Sequence, residues 1–261
     1  MAFDYKKEYK EFYMPPNKPV IVDVPKANYI AVRGVGNPNE EGGAYQKAIG
    51  VLYAMAYTLR MSYKTDYKIE GFFEYVVPPL EGFWWQEGVD ELLFTHKLDT
   101  CCQAMCQERR ITKNPAFRQR RTLNRLDSVT VCTVGVNSNV DGIDYSQKDK
   151  FHWISVIRVP EFIKEKDFNW AVQMAAEKKK MDCSLAEWIT IEEGLCVQIM
   201  HKGSYDNEPA TIALMDEYLA ANGYENDFTD KRLHHEIYLS DARRVAPDKW
   251  KTVIRHPVKR K

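Results

Sequence analysis

The chain has 261 residues, 44% of them hydrophobic and 12% aromatic, enough to bury a sizeable core in one large domain or two small ones. Thirty-seven basic residues balance thirty-seven acidic ones. That balance removes the net field by which a polyanion or an anionic membrane would be attracted.

The opening residues, MAFDYKKEYKEFYMPP, are charged and aromatic and lack a signal peptide's apolar run, which predicts a cytoplasmic protein. The most apolar stretch, Ile49 to Leu59, is about half of the ~20 residues that a membrane-spanning helix needs. Six cysteines without a Cys-x-x-Cys pair are expected as thiols.

Residues 1–18 read as an N-terminal arm, and 19–261 as one domain. The pairs Val20/Val22 and Ile30/Val32 predict strands broken at Pro25 to Asn28. Tyr45, Ala48, Ile49, Leu52, Met55, Ala56 and Leu59 then fall on one helical stripe, with Tyr45 read as packing. Ile69 to Val77, containing Phe72-Phe73-Glu74-Tyr75, reads as a strand closed by Pro78-Pro79. Leu80 to Gln86 is unusually aromatic, and tandem Trp84 and Trp85 on a strand would point to opposite faces, one to the core and one to a cavity or interface.

Residues 90–140 differ in character and read as an atypical insert, bracketed by the echoes Gly88-Val89-Asp90 and Val140-Asp141-Gly142. His96, Cys101, Cys102 and Cys106 match no usual zinc-ligand spacing, so no metal is expected. The arginines from Arg109 to Arg125 suit a solvated helix face or a disordered insert, and direct nucleic-acid binding is not expected.

Phe151 to Arg158 reads as a strand halted by Pro160, and Lys164 to Lys180 as a helix. Two strands follow around Glu193-Gly194. Ser204 to Pro209 opens another helix that stops at Asn222-Gly223. Leu233 to Leu239 alternates, with His234, Glu236 and Tyr238 on one face.

A strand, a helix and a strand with a central Glu thus occur twice, roughly over 19–89 and 185–261. The class is α+β: tandem strand-helix-strand-strand repeats related by a pseudo-twofold, forming a curved antiparallel sheet with a central cleft and helices behind. Glu74 and Glu236 would be symmetry mates.

The segments Pro79 to Trp85, Trp153 to Pro160, Glu193 to His201 with Gly203 and Tyr205, and His234 to Asp241 resemble the GyrI-like small-molecule-binding proteins. This family is related to the effector domains of multidrug-sensing transcription regulators. The resemblance implies an aromatic cleft whose glutamate, matched by Glu236, attracts flat or cationic aromatic molecules. Some stand-alone members look like cofactor-independent hydrolases that open the strained cyclopropane of DNA-alkylating compounds. By that likeness Glu236, Glu208 and Tyr205 are the catalytic candidates, and Trp84, Trp85, Trp153, Tyr238, Glu74 and Phe73 the ligand-binding ones.

A raised proton affinity at Glu236, desolvated among aromatic rings, would suit either a base or a cation trap. Glu208 in a helix's first turn could equally be held there by the helix dipole alone. The alternative function is a regulatory protein acting through a protein partner, a transcription factor or DNA gyrase.

Overall fold

The computed structural model describes residues 2–86 and 146–261. The insert expected at 90–140, with its cysteines, His96 and arginines, lies outside these residues.

Two short helical turns, α1 (Tyr5–Glu8) and α2 (Lys10–Tyr13), form within the N-terminal arm. Strands β1 (Val20–Val24) and β2 (Ala27–Val35) break where Pro25 was expected to interrupt them. Helix α3 (Ala44–Arg60) buries the predicted stripe, with Leu52, Met55 and Leu59 fully enclosed. The chain continues through β3 (Leu80–Gln86), β4 (Phe151–Arg158), α4 (Glu165–Lys179), β5 (Glu187–Ile191), β6 (Gly194–Lys202) and α5 (Glu208–Asn222). It closes with β7 (Tyr224–Asn226), β8 (His234–Tyr238) and β9 (Lys251–Arg260).

The strands form one strongly curled antiparallel half-barrel in the order β1-β6-β9-β8-β3-β4-β2-β5, with short β7 against the end of β9. Around the central β3/β8 pair the order is palindromic. The unit β2-α3-β3-β4 on one side answers β6-α5-β8-β9 on the other, which is the expected tandem repeat. The outermost strands are exchanged: β1 precedes the first unit but pairs with β6, and β5 precedes the second but pairs with β2.

One face of the sheet carries the helices. Ile30, Val32, Trp84, Trp153 and Ile157 pack with α3 and α4, whereas Val197, Ile199 and Ile254 pack with α5. The N-terminal arm covers part of the other face, where Tyr5, Tyr13, Met200, Ile237 and Val253 form a separate cluster.

The strand expected over Ile69–Val77 does not form. Among the described residues that stretch makes only an isolated bridge, Tyr75 to Phe3 of the arm, with Phe3 N–H donating to the Glu74 carbonyl at 2.8 Å. Pro78 and Pro79 have no N–H to offer a ladder, and the alternating aromatics pack on Phe3 and Phe162 instead. The symmetry mate of Glu236 is therefore not Glu74. In the β3/β8 ladder the middle pair is Gly82 with Glu236, so the pseudo-twofold relates Glu236 to Gly82 and Tyr238 to Trp84.

Candidate functional site

Strand register places the site. On the helix-covered face, residues in adjacent strands fall into ranks. One runs Gly34, Trp153, Trp84, His234, and the next runs Val32, Ser155, Gly82, Glu236, Ile254. A third runs Ile157, Leu80, Tyr238, Thr252. Period-two alternation sends His234, Glu236 and Tyr238 to this face together, whereas His235 and Ile237 go to the other.

Two glycines make room for the aromatic wall. A Cβ on Gly34 would fall 2.2 Å from the Trp153 ring, and one on Gly82 would fall 2.7 Å from Trp84 Nε1 and 2.9 Å from the Tyr238 hydroxyl. With Gly82 bare, Trp84 Nε1 donates to Tyr238 Oη at 2.9 Å across the pseudo-twofold. Tyr45, at the start of α3, lies over this wall. Its ring is 5.3 Å from Trp84 and 5.2 Å, edge-on, from Trp153. Tyr205, in the turn before α5, meets Tyr238 edge-on at 5.8 Å and also contacts Trp250.

At the centre are Glu208, His234 and Glu236, all buried, with one ligand-type atom from each lying within 4.8 Å of the others. His234 Nε2 is 3.0 Å from Glu236 Oε1, and His234 Nδ1 is 2.8 Å from Nε2 of His256 on β9. The spacing of the trio is one a metal ion could bridge, but both ring nitrogens of His234 are committed to these hydrogen bonds. These contacts link His256 through His234 to Glu236.

Burial pushes the Glu236 proton affinity up, but bonds from His234, Tyr238 and Glu208 outweigh it and hold the carboxyl below its usual value. The raised affinity expected from desolvation is thus corrected by hydrogen bonding to the charged form. Glu208, fully buried beside this carboxyl, is one of the groups that lower Glu236. Burial raises Tyr45, Tyr205 and Tyr238, with the Glu236 charge adding to the rise in each, so all three remain protonated phenols. Burial drives His256 well below the ordinary histidine value, reinforced by His234, and keeps it neutral.

Of the residues singled out from sequence, the structure brings together Glu236, Glu208, Tyr205, Trp84, Trp153 and Tyr238. Trp85 faces the other way and stacks on His152. Phe73 is 44% exposed, and Glu74 pairs at the surface with Arg60, so neither reaches the cluster. His234, His256 and Tyr45 were missed as site residues. Alternation around Glu236 already carried His234, whereas His256 required a strand, β9, whose Thr252 to Pro257 shows no clean alternation.

The chemistry is that of an enclosed carboxylate beside a second buried carboxyl, within an aromatic wall rich in phenol donors. Among the described residues no helix is long and apolar enough to cross a membrane.

The profile of the GyrI-like small molecule binding domain matches residues 116–259. No curated protein matches the chain. Three crystal structures from Listeria innocua match 99% of this chain and 100% of their own. One described as a hydrolase is 33% identical with a TM-score of 0.72. An uncharacterized conserved protein is 36% identical with a TM-score of 0.75, and a second hydrolase is 35% identical with a TM-score of 0.74. These alignments include the interval 90–140 read as an insert. With a matching profile over more than half its length and relatives this similar from end to end, the chain belongs to the GyrI-like small-molecule-binding family.

Proposed function

We propose that this protein binds hydrophobic or cationic aromatic molecules against the Trp84/Tyr238 wall and hydrolyses those bearing a strained, carbonyl-conjugated cyclopropane. The observation that carries the reading is a Glu236 held below the usual carboxyl value, with a second buried carboxyl, Glu208, beside it inside an aromatic enclosure. No Lys or Arg contact to Glu236 is found among the described residues. An anion without a fixed cation can accept a proton or hold a cationic ligand, which a neutralised one cannot.

In the proposed reaction Glu236 takes a proton from water as the water oxygen bonds to the strained carbon. The cyclopropane carbon–carbon bond breaks, its electron pair moves through the conjugated system to the carbonyl oxygen, and that oxygen is protonated. In this reading Glu208 supplies that proton, and Tyr45, Tyr205 and Tyr238 supply hydrogen bonds to the developing negative charge. The product is the substrate plus one water. The description of two Listeria relatives as hydrolases supports a hydrolytic rather than a purely sequestering role.

The test is incubation with a cyclopropane-bearing alkylator, followed by mass spectrometry. Catalytic release of the water adduct by the wild type, lost in Glu236→Gln, supports hydrolysis. Stoichiometric binding without product would replace this reading with a sequestering protein.

A further inference from the structure

The proposed chemistry uses Glu236 and Glu208 but leaves a buried imidazole unexplained. His256 is fully enclosed on β9, its ring edge-on to Phe228 at 4.9 Å; Nε2 approaches His234 Nδ1 at 2.8 Å, and its own Nδ1 has no hydrogen-bond partner among the described residues. The position is built by register: β8 and β9 pair His235 with Arg255 and Glu236 with Ile254, and one step further sets His234 opposite His256. The result is a straight chain from His256 through His234 to the Glu236 carboxylate.

We propose that His256 is a positioning residue for the reaction: by engaging His234 Nδ1 it fixes that ring so that Nε2–H is always directed at Glu236. The inference rests on the reading of Glu236 as the base. It follows from imidazole chemistry, because a ring has two nitrogens and a partner on one decides what the other presents. One hydrogen lies between Nδ1 of His234 and Nε2 of His256. With that hydrogen on His256 Nε2, His234 Nδ1 accepts it, and the single N–H of a neutral His234 is the Nε2–H directed at Glu236. Without His256, Nδ1 of His234 would lose its 2.8 Å partner, at about 1–3 kcal/mol. Turning the ring over relieves that penalty by presenting a C–H edge to the carboxylate. Glu236 would then lose its strongest donor and its fixed orientation. The groups that interact with Glu236, besides His234, are Tyr238 on β8, Glu208 on α5, Tyr205 before it and Tyr45 on α3.

The discriminating variants are His256→Leu, which removes the contact while remaining apolar, and His256→Gln, whose amide reaches the place of Nε2. With a cyclopropane-bearing alkylator, His256→Leu is expected to lower kcat about 10- to 100-fold, a part of the 10²–10⁴ a positioned base contributes. KM should move less than about twofold and His256→Gln should recover most of kcat, the pattern of a transition-state interaction. Imidazole ¹⁵N NMR, which does not depend on turnover, should show one fixed Nε2–H state for His234 in the wild type and in His256→Gln. Mixed tautomers are expected in His256→Leu.

An unchanged kcat in His256→Leu, equal loss in both variants, or averaged His234 tautomers in the wild type would overturn the proposal. If the wild type does not turn over at all, the hydrolytic reading fails, and the NMR result alone decides whether His256 positions His234. If His256→Leu does not fold, the wild-type spectrum and His256→Gln carry the decision.

Discussion

Strand β8 carries two adjacent histidines, and each heads a different buried network. His235, on the arm-covered face, lies between two carboxylates, 3.1 Å from Glu81 and 2.8 Å from Glu193, with Phe83 stacked on its ring. Glu193 is also held at 2.8 Å by Arg255, which in turn bonds Gln198 and the Phe12 carbonyl. Tyr13 donates to Glu81. Two carboxylates thus meet a guanidinium and an imidazole whose proton affinity the carboxylates raise against burial. On the other face His234 also meets two carboxyls, and among the described residues no guanidinium contacts Glu236. A network closed by a fixed cation holds a fold together, whereas one left with a surplus carboxylate retains reactivity. One residue's shift along a strand separates the two.

Substitutions can break that contrast. Glu236→Gln is expected to lower turnover about 10²- to 10⁴-fold, the range a general base supplies, with unchanged or higher thermal stability. Steady-state rates and a melting curve check both halves. Arg255→Leu should do the reverse and destabilise the fold by about 3–5 kcal/mol in denaturant unfolding, because Glu193 would be left as an uncompensated buried charge.

Acid titration sharpens the point. Burial would raise the Glu193 carboxyl, but His235 and Arg255 hold it down to about 2 from its ordinary 4.5. A depressed carboxyl stabilises the fold above its unfolded value, so this contribution is present above pH 4.5 and fades as pH falls toward 2. The difference corresponds to about 3 kcal/mol. Urea midpoints across that window should fall in the wild type and flatten in Glu193→Gln.

Gly82→Ala should cost about 1–3 kcal/mol, as overpacking does, and weaken ligand binding by pushing Trp84 from Tyr238. Isothermal calorimetry with a planar aromatic probe would detect it. The smallest effect is expected at Glu74→Gln, within about 0.5 kcal/mol and without change in turnover, since a surface pair contributes little.

Much of this was legible in the sequence because periodicity reports burial. The stripe of α3, the alternation of β8 and the tandem tryptophans each placed side chains on the correct face. Reading failed where pairing partners decide the outcome. The aromatic run at Phe72 to Tyr75 looks like a strand, yet two prolines and the arm's Phe3 claim it, and the mate of Glu236 proved to be a glycine, which no search for a second carboxylate could find. His256 and the Glu81–His235–Glu193–Arg255 network depend on register across strands far apart in sequence. No local pattern encodes that.

The exchange of β1 and β5 between the halves bears on how the protein is made. When the first half has left the ribosome, β2 still has an open edge that only β5 will cover, β3 awaits β8, and β1 has no partner until β6 emerges. Exposed strand edges invite pairing with other chains. The first half therefore cannot complete its sheet until strands of the second half arrive, and closure of the sheet is built on long-range contacts.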